Sequence, residues 1–178
     1  MKTAIITFGR FQGFHKGHKK LFNEMIKFSK LYPDSDIKIY ISKTVNKNSP
    51  MAYSTKLRHF QAIFKQYAQY VHDHNNILVN ILKELQLKYD KVFFVCGTDR
   101  SENLQLFFDK YNNKEFSFKV LKVVEIPRSS KKHSGTYIRS IVKSIKFYLA
   151  VPGSIFDVHA YRKDMHLAIE CLSNNRKK

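Results

Sequence analysis

The chain has 178 residues, 43% hydrophobic and 14% aromatic, enough for one folded domain with a sizeable core and too apolar for a disordered basic tail. Lysine and arginine number 32 against 14 acids, a formal charge of +18, so the surface attracts polyanions, nucleoside triphosphate and nucleic acid alike. Many cations (Lys19, Lys20, Lys27, Lys30) fall on predicted outer helix faces, and a solvated lysine-rich surface accounts for the charge equally well. Cys96 and Cys171 stand far apart with no C-x-x-C, which fits a reducing compartment. No signal-peptide pattern and no apolar run of membrane-spanning length is visible, so a soluble cytoplasmic protein is expected. The composition, rich in Lys, Asn and Ile, fits an AT-rich genome; if that genome is viral, the compartment is the host cytoplasm.

Ala4 to Phe8 reads as a short buried strand. Helical spacing of Leu21, Phe22, Met25, Ile26 and Phe28 predicts a helix from Lys16 to Leu31, stopped by Pro33. Ile37 to Ile41 alternates as a second strand. Ser54 is the predicted N-cap of a helix with Leu57, Phe60, Phe64, Tyr67 and Val71 on one stripe, and a further helix runs from Asn76 to Lys88. Val92 to Cys96 is the uninterrupted apolar run of a central parallel strand, with Cys96 packed as a small hydrophobe. A helix through Leu104, Phe107, Phe108 and Tyr111 follows, then a fourth strand from Phe118 to Ile126. Ser134-Gly135-Thr136 opens a helix with Ile138, Ile141, Val142 and Ile145. After Pro152-Gly153 a last helix holds Phe156, Tyr161, Met165, Ile169 and Leu172 before a basic tail. This alternation predicts an α/β fold, a Rossmann-like doubly wound parallel sheet with helices on both faces. Residues 1–150 form the main domain, and residues 151–178 a C-terminal helix packed on it. Ligands of such sheets bind beyond the carboxyl ends of the strands.

The stretch from Phe8 to His18, FGRFQGFHKGH, joins the first strand to the first helix. Its glycines Gly9, Gly13 and Gly17 allow close backbone approach to a ligand, and the helix start offers amides to an anion. His15 and His18, three residues apart, can face one pocket. Ser134 and Thr136 offer hydroxyls beside helix-terminal amides, with Arg139 one turn on, where its fork can reach a phosphate; a capping serine with a surface arginine explains the same residues. Gly97-Thr98-Asp99-Arg100 directly follows the central strand. Asp99 with Glu102 also makes a good capping box, so helix start and ligand contact both remain open. Ser42, Thr44 and Lys56 sit on or after the loop that follows the second strand, and a solvated helix side chain is the simplest account of Lys56, one of 32 basic residues. His72-Asp73-His74 lacks a third metal ligand by spacing, and no metal site is expected. Gly13 to Lys20 does not fit a Walker loop.

GRFQ followed by HKGH resembles the signature of the HxGH nucleotidylyltransferase superfamily, especially the nicotinamide-mononucleotide adenylyltransferase type, usually GRFQPxHxGH. His133-Ser134-Gly135-Thr136-Tyr137-Ile138-Arg139 resembles its (I/H)SxTxIR element, and Gly97 to Arg100 its loop contacting ribose and base, similar to the G-[ST]-D-R of phage enzymes. Gly13 stands where the family usually has proline, which predicts a looser turn. The resemblance implies transfer of a nucleoside monophosphate, AMP from ATP foremost, to a phosphate-bearing acceptor, nicotinamide mononucleotide leading, with pyrophosphate released and Mg²⁺ accompanying the triphosphate. It implies that His15, His18 and Arg139 are catalytic, that Gly9, Arg10, Phe11, Gly17, Gly97, Asp99, Arg100, Ser134 and Thr136 bind nucleotide, and that Ser42, Thr44 and Lys56 hold the acceptor. A cytidylyltransferase is the nearest alternative, followed by a pantetheine-phosphate or flavin-type acceptor, a nucleic-acid terminal phosphate as acceptor, and a non-catalytic nucleic-acid-binding protein on the same fold. A homo-oligomer is compatible with the sequence.

Overall fold

The structure, a computed structural model, describes residues 1–74, 77–127 and 134–174. It contains strands β1 (Thr3–Gly9), β2 (Ser35–Ile41), β3 (Lys91–Gly97) and β4 (Val120–Ile126), and helices α1 (Lys16–Ser29), α2 (Tyr53–Ile63), α3 (Leu78–Leu85), α4 (Thr98–Tyr111), α5 (Gly135–Ser140), α6 (Lys146–Ala150) and α7 (Ile155–Asn174). The sheet has the order β2-β1-β3-β4; β3 pairs in parallel with β1 on one side (Ile5 opposite Phe93) and with β4 on the other (Val95 opposite Val124). The α/β, Rossmann-like architecture foreseen from alternating strands and helices is therefore present, and strand order reverses between β1 and β3.

The chain divides into two compact units. One, made of Met1–Phe8, Lys20–Tyr40 and Tyr70–Arg128, holds nearly all of the sheet. Its core gathers Ala4 and Ile6 of β1, Val92 and Phe94 of β3, Ile81 and Leu82 of α3, and Phe108 of α4. Cys96 is buried here, and its apolar surroundings push the thiol up to about 11. The other unit comprises Gly9–Lys19, Ile41–Gln69 and Ser129–Lys178. Its centre is aromatic: Phe14 packs on Phe60, Phe64 and Tyr161, and Tyr161 in turn on Phe147.

Several elements differ from their sequence-based limits, each for a physical reason. Helix α2 starts from Ala52 in extended conformation without a side-chain cap, so Ser54 lies inside it. It ends at Ile63, and a 3-10 turn over Lys65–Tyr70 carries the chain on to Val71, which bridges Ile39. The backbone of Phe118 is satisfied by the Asn112 side chain, which accepts its N–H at 3.0 Å and donates to its carbonyl at 3.1 Å; β4 accordingly begins at Val120. The helix expected through Ile145 breaks into α5 and α6. Arg162 takes the Val142 and Lys143 carbonyls, at 2.6 and 2.9 Å, that a continuing helix would have spent on its own amides. In α7 the buried stripe is Val158, Tyr161 and Met165. Phe156 precedes Val158 by two residues, about 200° round the helix, and is 83% exposed. Asn76 lies outside the described residues. Among those described, no helix is long and apolar enough to cross a membrane.

Phe94, fully buried on β3 and edge-on to Phe108, anchors the first unit's core. Phe94→Ala is expected to cost about 3–5 kcal/mol in denaturant unfolding. Phe156→Ala should stay within about 0.5 kcal/mol of the parent protein.

Candidate active site

The segment after β1 is a tightly held turn. The Ser42 N–H donates to the Gly9 carbonyl at 2.8 Å, which ties the end of β1 to the loop after β2. Phe11 adopts φ 41° and Gly13 φ 84°. Proline is locked near φ −65° and cannot occupy the backbone found at Gly13. The absence of proline does not loosen this turn. Gly13 is buried, and a Cβ there would lie 2.6 Å from the Gly135 Cα, while one on Gly135 would lie 2.5 Å from the Gln12 carbonyl oxygen. The two motifs meet backbone to backbone, and both contact positions must be glycine.

Beyond this turn His15 is buried and His18 half-buried. Their imidazoles are stacked, with centroids 3.7 Å apart and planes inclined by 21°. Phe11 sits edge-on to His18 at 5.1 Å. Helix α1 starts at Lys16, with Gly17 in its first turn. The sequence thus delivers two ring-nitrogen-bearing groups side by side, next to a short segment of glycine backbone.

Arg139 joins them. Its Nη1 donates to the Gln12 carbonyl at 3.3 Å and its Nη2 to Thr136 Oγ1 at 3.2 Å. Burial, then the nearby Arg10 charge, lower its pKa from the ordinary value, but a guanidinium this basic stays protonated. Ser134 caps α5 by accepting the Tyr137 N–H at 3.2 Å, so the capping alternative holds for its hydroxyl. Thr136 orients Arg139. His133 lies outside the described residues.

Lys56 departs from the solvated helix side chain that its surroundings in sequence also allowed. It is fully buried. Its Nζ donates to the Ser42 carbonyl, to the Thr44 carbonyl at 3.3 Å and to Ser49 Oγ at 3.3 Å. Desolvation, with the Arg10 charge second, lowers its pKa from 10.5 to about 8. Ser42 Oγ donates to Thr44 Oγ1 at 2.9 Å and accepts the Thr44 N–H at 3.1 Å. Ser42, Thr44 and Lys56 therefore form one clasp, in which the lysine shapes the loop from beneath. Two further polar residues belong to it. Ser49, wholly buried, donates to Gln12 Oε1 at 2.7 Å, linking the clasp to the first motif. Gln12 lay inside the motif without a role, and nothing in the sequence around Ser49 signalled one.

Gly97, Asp99 and Arg100 lie in the sheet-bearing unit. Gly97 occupies the N-cap of α4 with extended backbone and no side-chain cap, so the Asp99–Glu102 capping box is not formed. Asp99 stands in the first turn, where a carboxylate complements the helix dipole. Arg100 Nη1 donates to the Phe8 carbonyl at 3.1 Å. Among the described residues, no group of three or more His, Cys, Asp or Glu could hold a metal ion.

Gly13→Pro, the substitution toward the usual motif, should destabilise the protein by about 3 kcal/mol or more in denaturant titration, because φ 84° is closed to proline. Lys56 makes a second prediction. Its pKa is about 8 in the folded protein and returns to 10.5 on unfolding, so the unfolded chain binds more protons between these values. Stability contributed at this site should rise as pH climbs from about 8 toward 10.5, and the full burial penalty should be present below that window. The difference in unfolding free energy between the parent protein and Lys56→Met, followed from pH 7 to 10, measures it; a flat difference contradicts the assignment.

The bifunctional riboflavin kinase/FMN adenylyltransferase of Buchnera aphidicola subsp. Acyrthosiphon pisum (strain APS) is 25% identical over 176 residues, covering 87% of this chain and 56% of that protein. The chain thus spans about half the length of this curated relative. Residues 6–141 match the cytidylyltransferase-like family, a range that takes in the two-histidine turn, the Lys56 clasp and the Ser134–Arg139 segment. Since that match runs through three quarters of the sequence, the chain belongs to the cytidylyltransferase-like family.

Proposed function

We propose that the protein transfers a nucleoside monophosphate, AMP from ATP as the leading case, to the phosphate of a mononucleotide acceptor, nicotinamide mononucleotide first, and releases pyrophosphate. The observation that carries the reading is the stacked His15–His18 pair on a turn whose Gln12 carbonyl receives Arg139. Family membership supports nucleotidyl transfer as the reaction class, and the likeness to the Buchnera FMN adenylyltransferase supports adenylyl transfer, with flavin mononucleotide as a second acceptor to test.

In this reading an acceptor phosphate oxygen attacks the α-phosphorus in line. The new P–O–P bridge forms as the bond from the α-phosphorus to the bridging oxygen of the β-phosphate breaks, and pyrophosphate departs with that oxygen. No covalent enzyme intermediate is required. Charge builds on phosphoryl oxygens, and the work of the protein is to position and neutralise it. His15 and His18 bind the α- and β-phosphates. Arg139, aligned by Thr136, grips the β- and γ-phosphates, with Arg10 adding charge. Ser42 and Thr44 face the acceptor on a loop that Lys56 holds in shape. Mg²⁺ arrives with the triphosphate, as part of the substrate.

Pyrophosphate release measured with Mg²⁺, each of the four nucleoside triphosphates and a panel of phosphate-bearing acceptors tests the reading. His18→Ala should lower kcat by about 10²–10³ with an unchanged melting profile, as expected for loss of a group that stabilises transition-state charge. Arg139→Lys should lower it by about tenfold or more, because a lysine lacks the planar fork. Release with CTP alone would keep the chemistry and exchange the nucleotide; full activity in His18→Ala would remove the assignment.

A further inference from the structure

Helix α7 begins beyond residue 141, where the family match ends, yet its buried face turns toward the two-histidine turn. Tyr161 is the centre of that face. The N–H groups of Gly13 and Phe14 both donate to its Oη, at 2.8 and 2.9 Å. Its ring stacks on Phe14 with centroids 4.8 Å apart and meets His59 edge-on at 5.2 Å. One turn on, Met165 Sδ lies 4.0 Å from Gln12 Nε2. Asp164 Oδ2, on the same stretch, sits 2.8 Å from His59 Nε2 and accepts from Arg58 Nη2 at 2.5 Å, fixing α7 to α2.

We propose that Tyr161 is a positioning residue for the His15–His18 turn: its hydroxyl oxygen holds the Gly13 and Phe14 amides, making α7 part of the site. The inference rests on the reading of that turn as the phosphate-binding centre. Its physical logic is specific to this backbone. Two successive amides converging on one point form a concavity of the kind that captures anions. Here a neutral phenol oxygen fills it. Burial raises the Tyr161 pKa well above the ordinary phenol value, so the group stays neutral throughout the working pH range. The two amides are thereby committed before any nucleotide arrives, and the left-handed Gly13, already in close contact with Gly135, gains a second fixed point. Phosphate is left to the histidines and Arg139. Pre-setting this turn removes an ordering cost that the substrate would otherwise bear in the transition state.

Tyr161→Phe keeps the stacked ring and deletes only the acceptor, which separates positioning from packing. Three measurements decide the matter. Amide hydrogen exchange at Gly13 and Phe14 should accelerate by about tenfold or more in the variant, with exchange in β3 unchanged. The kcat for pyrophosphate release should fall by about tenfold or more while KM for the triphosphate moves by less than about threefold, since the loss lies in alignment rather than ground-state binding. Tyr148→Phe, which removes a hydroxyl paired with His159 and Arg162 in the same unit, should leave both readouts at parent values. Unchanged exchange at the two amides overturns the proposal, as does faster exchange with unaltered kcat. Should Tyr161→Phe fail to fold, exchange in the parent protein still decides: Gly13 and Phe14 amides exchanging as fast as exposed loop amides would sink the brace. A parent protein silent with every triphosphate would remove the catalytic reading instead, an outcome told apart because the exchange measurement needs no substrate.

Discussion

The site rests on a contact between two pieces of main chain. Gly13 and Gly135 approach so closely that a methyl group on either would collide with the backbone of the other segment. A contact of this kind is rigid, because backbone cannot rotate out of the way as a side chain can. It sets the distance from which Arg139 reaches the Gln12 carbonyl, and Gln12 passes the constraint on through Ser49 to the Lys56 clasp. Loosening the glycine pair would displace cation, turn and clasp together.

The electrostatics of this unit follow from the same arrangement. The Arg10 charge acts on both Arg139 and Lys56 as a like charge, and among the described residues no carboxylate offsets either of them. Carbonyl and hydroxyl oxygens stand in for acids around Lys56. They satisfy its hydrogens without cancelling its charge, so burial still costs and the amine titrates early. Around these three cations the local field is positive and favours an incoming anion. The overall +18 of the sequence blurs this local feature, because most of the lysines are ordinary solvated side chains.

Both motifs, the strands and the α/β alternation were legible because they are local. Apolar runs such as Val92 to Cys96 announce a covered strand by themselves, and FGRFQGFHKGH carries its glycines and histidines within one turn. What was hidden depends on backbone conformation and on partners brought together by folding. Lys56 looks like any other lysine until Ser42, Thr44 and Ser49 fold round it. The break between α5 and α6 is dictated by Arg162, which competes for carbonyls that local propensity would leave in a helix. Asp99 and Glu102 have the right spacing for a capping box, but Gly97 takes the cap position in extended form and leaves the pair inside the helix. Gly13 stands where the resembling motif has proline, and its positive φ accounts for the glycine without any loss of stiffness.

The histidine-bearing unit is assembled from Gly9–Lys19, Ile41–Gln69 and Ser129–Lys178. Its first piece leaves the ribosome early and its brace late: Gly13 and Tyr161 are separated by 148 positions. At synthesis rates of about 5–20 residues per second, the interval between them is roughly 7–30 s. Throughout that interval the Gly13 and Phe14 amides lack the Tyr161 oxygen that holds them in the folded protein. A nascent chain can close most of its sheet while the Gly13–Phe14 turn still lacks this partner. The bond to Tyr161 is in this sense a late event in the life of each molecule, formed only after α7 has been made.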